Sequence, residues 1–173
     1  MSCIQTLSGL AKDCSANLGG ISEVYIANYD DVTAKTLTDN QISAITMASG
    51  KTFKKYAFPR QTGSLTKTAT FDDASGQLRY YTNELVLQFN RMETAKRVEL
   101  TALSLADLVV LVKDANGKVW YLGYDAPVNA SASDGQTGTA IGDVNRYSIT
   151  LRDISAAYPY EVLASVLDGI TEE

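Results

Sequence analysis

The side chains able to do chemistry in this sequence are carboxylates, amines, hydroxyls and two thiols, because it contains no histidine. Ser-His-Asp and Cys-His mechanisms and imidazole-based zinc sites are thereby excluded. Any catalysis would have to run through paired carboxylates or a lysine. The acidic pairs Asp30-Asp31 and Asp72-Asp73 are sequence neighbours, which face opposite ways on an extended chain. Both lie in turn-forming composition and read as turn residues. Asp134 and Asp143 could join backbone oxygens around a calcium ion, but two separated carboxylates do not define a site. Gly135, Gly138 and Gly142 lack the Gly-Lys-Ser/Thr of a phosphate-binding loop and read as a flexible loop. Trp120, Tyr121 and Tyr124, with Tyr80 and Tyr81, offer either a sugar-stacking platform or ordinary core and interface aromatics; the second is expected. Lys51, Lys54 and Lys55 read as a solvated edge. Cys3 and Cys14 lack CxxC spacing and read as free thiols, the alternative being a disulfide between them. The expectation is a protein that is not an enzyme and has no catalytic, cofactor or metal site.

The surfaces must then carry the function. With 173 residues, 45% hydrophobic and 20% charged, the chain is long enough for one well-packed globular domain. Its net charge of -5, from 15 Lys and Arg against 20 Asp and Glu, argues against tight binding to phosphate backbones. No apolar run approaches the roughly 20 residues that span a bilayer, so no membrane partner is expected. Residues 1–20 read as an N-terminal arm, 21–165 as a single β-rich domain and 166–173 as a C-terminal tail.

Most of the domain reads as strand. Glu23–Ala27 is a first strand, and 32–41 is ambiguous. Ile42–Ala48 and Thr52–Phe58 are strands joined through Ser49-Gly50-Lys51 as a hairpin. Leu108–Val112 and Lys118–Leu122 flank Asn116-Gly117, a strong hairpin signal. Residues 129–143 read as a long loop and Arg146–Arg152 as a last strand. Asn90 to Glu93 has the form of a capping box. It would open a helix of about 13 residues that buries Met92, Ala95, Val98, Ala102 and Leu105, with Glu93 and Arg97 paired outside. The predicted fold is mainly β: two packed antiparallel sheets, sandwich or barrel, with one flanking α-helix and a long β-hairpin.

That hairpin, residues 64–90, is the clearest feature. Apolar and polar residues alternate along both arms, the mark of strands with two unlike faces. Pairing around Ser75 sets Leu65 against Leu85, Lys67 against Asn83 and Ala69 against Tyr81. One face carries Ser64, Thr66, Thr68, Thr70, Thr82, Glu84 and Gln88, with no Lys or Arg short of the tip. The other carries Leu65, Phe71, Tyr81, Leu85 and Leu87. Such a ribbon is a liability in a monomer and suits a barrel closed by several copies. Leu65, Phe71, Tyr81, Leu85 and Leu87 are then expected at contacts between subunits, and the polar set lines a lumen.

Several stretches carry a resemblance: GISEVYI (20–26), GKTF (50–53), KDANGKVWYLG (113–123), and QTGTAIGD (136–143) ahead of YSITL (147–151). Together they resemble tail structural proteins of phages and prophages of gut anaerobic bacteria, of the tail-tube or major tail protein type. The resemblance implies a tail-tube fold that self-assembles into stacked, hexameric rings conducting DNA. It also implies location in the virion tail after assembly in the host cytoplasm. The partners it implies are other copies of the chain, other tail proteins and DNA in transit. Alternatives are another virion component (capsid decoration protein, tail terminator or connector ring) or a carbohydrate-binding β-sandwich module.

Overall fold

In the computed structural model, which describes residues 7–172, twelve strands and one α-helix follow one another along the chain. The strands are β1 (Ile21–Asn28), β2 (Val32–Thr38), β3 (Gln41–Met47), β4 (Phe53–Tyr56), β5 (Ser64–Phe71) and β6 (Leu78–Asn90). After α1 (Thr94–Leu105) come β7 (Leu108–Asp114), β8 (Val119–Leu122), β9 (Asn129–Gln136), β10 (Arg146–Ser155), β11 (Tyr160–Val162) and β12 (Thr171–Glu172). They form an eight-stranded sheet in the order β12-β4-β1-β7-β8-β11-β3-β2 and a four-stranded sheet in the order β5-β6-β10-β9. The mainly-β architecture with two sheets, one helix and a long hairpin is as expected, except that β11 pairs with β3, and β12 with β4, in parallel.

The larger sheet is strongly curled. Only residues 29–31, a 3-10 turn, connect β1 to β2, yet four strands lie between them. In a flat sheet five spacings of about 4.8 Å would separate them by roughly 24 Å. Four residues of extended chain reach only about 14 Å. The far edge must therefore bend back, and the amide of Ala48, just after β3, donates to the carbonyl of Asp31 at 2.8 Å. The result is a half-barrel, whose short β2–β3 turn places Asp39 and Asn40 at φ 51° and 61°, as a primed hairpin turn requires.

Curling creates two cores. Inside the half-barrel lie Tyr25, Ile42, Ile45, Phe53, Val109, Leu111, Val119, Tyr121 and Val162. Between the sheets lie Val24, Ile26, Val110, Val112 and Leu122 against Leu85, Leu87, Phe89, Ile149 and Leu151, with Leu100 and Leu103 of α1 closing one side. This explains the unbroken apolar run of β7 (Leu108 to Val112), since a strand buried on both faces has no polar side to show.

Four expectations change. The strands predicted around Ser49-Gly50-Lys51 exist but form no hairpin: β3 pairs with β2 and β11, while β4 pairs with β1 and β12. Half of the segment read as a loop, 129–136, is strand β9. The helix starts at Thr94, because β6 continues through Asn90 and the chain turns at Arg91 with φ 66°. It buries Leu100 and Leu103, while Val98 and Leu105 are 54% and 84% exposed, and Glu93 pairs with Arg91 and Lys96 instead of Arg97. The stem of Lys96 covers the preceding strand end, its ammonium bonded to the carbonyl of Asn90 at 2.6 Å, so the helix presents its 96-100-103 stripe inward. Finally, the 166–173 segment is no free tail over its described part. Leu167 and Ile170 are buried in the half-barrel core, and β12 pairs beside Phe53.

Candidate assembly surface

The hairpin register is the one the alternation predicts: Leu65 opposite Leu85, Lys67 opposite Asn83, Ala69 opposite Tyr81. Strand β6 is not a free ribbon arm, however. Its other side pairs with β10 from Asn90–Arg146 through Tyr81–Ser155. That places Ser64, Thr66, Thr68, Thr70, Thr82, Glu84 and Gln88 together on the outer face of the four-stranded sheet, in line with Ser148, Thr150 and Arg152 of β10 and Ala132 and Asp134 of β9.

The same register adds cations that the hairpin alone did not show. Arg152 sits opposite Glu84 and donates to its Oε1 from Nε at 3.0 Å and Nη2 at 2.6 Å. Arg146 donates to Oε1 of the Gln88 side chain at 2.6 Å. The face thus balances two arginines against Glu84 and Asp134, with amides and hydroxyls between them interrupted by Val86, Ala132 and Ile154. The alternation in RYSITLR puts Arg146, Ser148, Thr150 and Arg152 on one side of a strand, so both arginines were visible once β10 was paired with β6.

The apolar face divides. Leu85 and Leu87 are 0% exposed in the protomer's own core and Leu65 packs against them. The expectation that Leu65, Leu85 and Leu87 sit between copies is therefore corrected: the half-barrel of the same chain covers them. Tyr81 is half-buried and stacks on Tyr158, ring centroids 4.2 Å apart. Towards the tip nothing covers the ribbon. Phe71 is 57% exposed, and Leu78, Tyr80, Ile154 and Tyr158 are exposed nearby. Asp72 fixes the turn by accepting from the backbone amide and hydroxyl of Ser75 and from Arg79. These bonds hold its carboxyl below the usual range.

Neither edge of this sheet is paired, although α1 packs beside β9. Strand β5 pairs only with β6, and β9 only with β10. Each is eight residues long and carries one charged side chain. Lys67 on β5 points inward, its Nζ 3.3 Å from the centre of the Trp120 ring, where burial lowers its pKa. Asp134 on β9 lies on the polar face. A register irregularity occupies 130–132 of β9, and the stretch from Ala132 to Gln136 is regular. Beyond it, the Asp143 carboxylate accepts from the amides of Thr139 and Ala140, both at 2.7 Å, shaping a loop whose Ile141 is fully exposed.

The remaining candidates disperse. Trp120 lies under Lys67 and donates to Asp114 at 3.0 Å, Tyr121 is 1% exposed, and Tyr124 packs on Tyr160, so no open aromatic platform forms. Asp134 and Asp143 do not converge on one cage; among the described residues no three His, Cys, Asp or Glu side chains are placed to hold a metal ion. Lys51, Lys54 and Lys55 pair with Asp31, Glu172 and Glu23. Cys14 is exposed; its suggested partner Cys3 lies outside the described residues. No helix of the described residues is long and apolar enough to cross a membrane. No protein-family model matches the chain, and no curated protein matches it.

Proposed function

We propose that this protein is a structural subunit whose four-stranded sheet joins those of neighbouring copies, β5 of one against β9 of the next, into a closed barrel that conducts DNA as a phage tail tube. The observation that carries the reading is that both edge strands of one sheet are nearly uncharged and lack a strand partner, α1 packing beside β9 without pairing its backbone. Monomeric proteins blunt such edges with charge, proline or a covering element. Here the sole lysine of β5 is turned inward onto Trp120. Four antiparallel strands per copy also suit ring closure. The fourth runs opposite to the first, so a rotated copy continues the antiparallel pattern for any number of subunits.

The face such a barrel turns to its lumen suits sliding cargo. Its arginines are tied to Glu84 and Gln88, and the chain is acidic overall, so little counterion release holds a polyphosphate in place. The exposed hairpin tip and the Ile141 loop project at the ends of these strands, where stacked rings, hexameric by the resemblance, would touch.

Negative-stain microscopy with light scattering on the purified full chain tests the reading. Open-ended tubes or stacked rings support it. A monodisperse monomer at high concentration, or a closed dimer through β5 alone, overturns it, and single rings that never stack favour a terminator or connector role.

A further inference from the structure

The hairpin turn between β7 and β8 does more than reverse the chain. The Asn116 side chain grips the N-terminal arm, accepting the Leu18 amide on Oδ1 at 2.9 Å and donating from Nδ2 to the Leu18 carbonyl and to Asn17 Oδ1, each at 3.0 Å. One residue back, the Ala115 amide bonds the Gly20 carbonyl at 3.1 Å. A side-chain amide bonding both the N–H and the C=O of one residue imitates a strand partner. It is what fixes an otherwise irregular arm, whose Leu7, Leu10 and Leu18 are all exposed.

Asn116 is also the one asparagine in the chain followed by glycine. Glycine brings no Cβ to shield its nitrogen, and space beside Gly117 is open, with nothing within 4 Å of the position a Cβ would take. We propose that Asn116-Gly117 is a self-modification site: its deamidation is gated by the docked arm and, once done, releases that arm irreversibly.

The chemistry needs only water. The Gly117 backbone nitrogen attacks Cγ of Asn116, forming the C–N bond of a five-membered imide, while the Cγ–Nδ2 bond breaks and ammonia leaves with the amide proton. Water then opens the ring at either carbonyl, giving aspartate or isoaspartate. In the docked state both reacting groups are held. The Gly117 N–H donates to the Asp114 carbonyl at 3.1 Å, and the Asn116 amide is tied to Asn17 and Leu18. Further bonds stiffen the turn: Asp114 Oδ1 accepts the amides of Asn116 and Lys118, both at 2.9 Å. Undocking the arm frees the Asn116 amide, so the imide forms faster once the arm lets go, when the turn's own Gly117–Asp114 bond opens. Afterwards the two Nδ2 donors are gone, and a carboxylate faces the Leu18 carbonyl and Asn17 Oδ1, acceptor against acceptor. The released arm cannot be gripped again in the same way. This inference is independent of the assembly reading.

The test incubates the full chain at mildly alkaline pH and follows each asparagine by peptide mass spectrometry with isoaspartate detection. Asn116 should convert first. An unclasped variant, Asn17→Ala with Leu18→Pro, loses an acceptor and the Leu18 N–H in a segment without regular structure, so its thermal melt should match the parent. Its Asn116 should convert roughly thirtyfold faster, the factor that two net hydrogen bonds represent. In Asn116→Asp, hydrogen exchange of the 14–20 backbone should rise severalfold with β7 and β8 unchanged. Equal conversion rates in the parent and the unclasped chain, another asparagine converting first, or an arm still protected in Asn116→Asp would each overturn the proposal.

Discussion

Asn83 donates from Nδ2 to Asp153 Oδ2 at 3.2 Å, both residues essentially without solvent exposure, and Oδ1 of Asn83 and Oδ1 of Asp153 have no partner. The Gly123 amide, at 3.3 Å, bonds the same Oδ2, and Asn83 Nδ2 also donates to the Ser155 hydroxyl at 3.3 Å. A charged carboxylate so enclosed is costly. Burial raises its pKa, nearby Asp125 adds to this, and the bonds from Gly123 and Asn83 oppose it without prevailing. A proton on Oδ1 would supply the donor that Asn83 Oδ1 lacks. Because the folded value lies above the unfolded one of about 3.9, this contribution to stability is complete below that pH. It is lost as pH rises through the folded value. Asp153→Asn supplies a permanent donor of the same shape. It should raise the melting temperature at pH 8 by several degrees, about 2–4 °C for each kcal/mol, and the gain should vanish near pH 4. Melts of both proteins from pH 3 to 9 check this; a constant offset would contradict it.

The division of the hairpin's apolar face gives a second contrast. Leu85→Ala and Leu87→Ala remove fully buried side chains and should each cost about 2–5 kcal/mol. Phe71→Ser, at the uncovered tip, should change stability by no more than about 0.5 kcal/mol. Only the tip variant should combine an unaltered denaturation midpoint with impaired assembly, measured by light scattering on the same samples.

What the sequence revealed follows a physical pattern. The β5–β6 register was legible because the pairing is local and the breaks in its apolar row, Lys67 and Asn83, coincide. β9 was hidden because NASASDGQ has no β-branched or aromatic residue. It is an exposed edge specified by β10 and gives no alternation to detect. The hairpin expected at Ser49-Gly50-Lys51 failed for a non-local reason: curling lets β4 join β1, so adjacent strands in sequence part in space. The helix stripe was misassigned because the apolar positions 95-98-102-105 outnumber the pair Leu100 and Leu103 that the sheet buries. The candidate assembly face was half legible: its threonines could be read from one hairpin, its arginines only from the partner strand.

The loop between β9 and β10 should be separable from the fold. Gln136 and Arg146 are already opposite each other, and the residues between them are exposed, with Ile141 at the extreme. Replacing 138–144 with a two-residue turn, and keeping Asn145, whose carbonyl and Oδ1 accept the amides of Arg91 and Met92, closes a shorter loop, which costs less chain entropy. The melting temperature should hold or rise slightly. If the loop makes the contact between rings, the shortened chain should stop at single rings under the microscope; unimpaired tubes would remove it from that role.

The lumen assignment can be tested by charge. Thr66 and Thr68 point outward from β5, on the face where Arg146 and Arg152 are already occupied by Gln88 and Glu84. Thr66→Lys with Thr68→Lys adds two cations per copy, one opposite Glu84, which Arg152 already holds, and one opposite Thr82, without touching the core, so folding should change little and tubes should still form. Each ring would then line the channel with a belt of ammonium groups, and phosphates passing it would displace counterions at every subunit. The hold should weaken steeply with salt, since each neutralised phosphate contributes about -0.9 to the slope of log affinity against log salt concentration. Particles carrying the variant should therefore release DNA more slowly at low ionic strength and recover as salt rises. Ejection at the parent rate across that series would place these threonines on an outer surface instead.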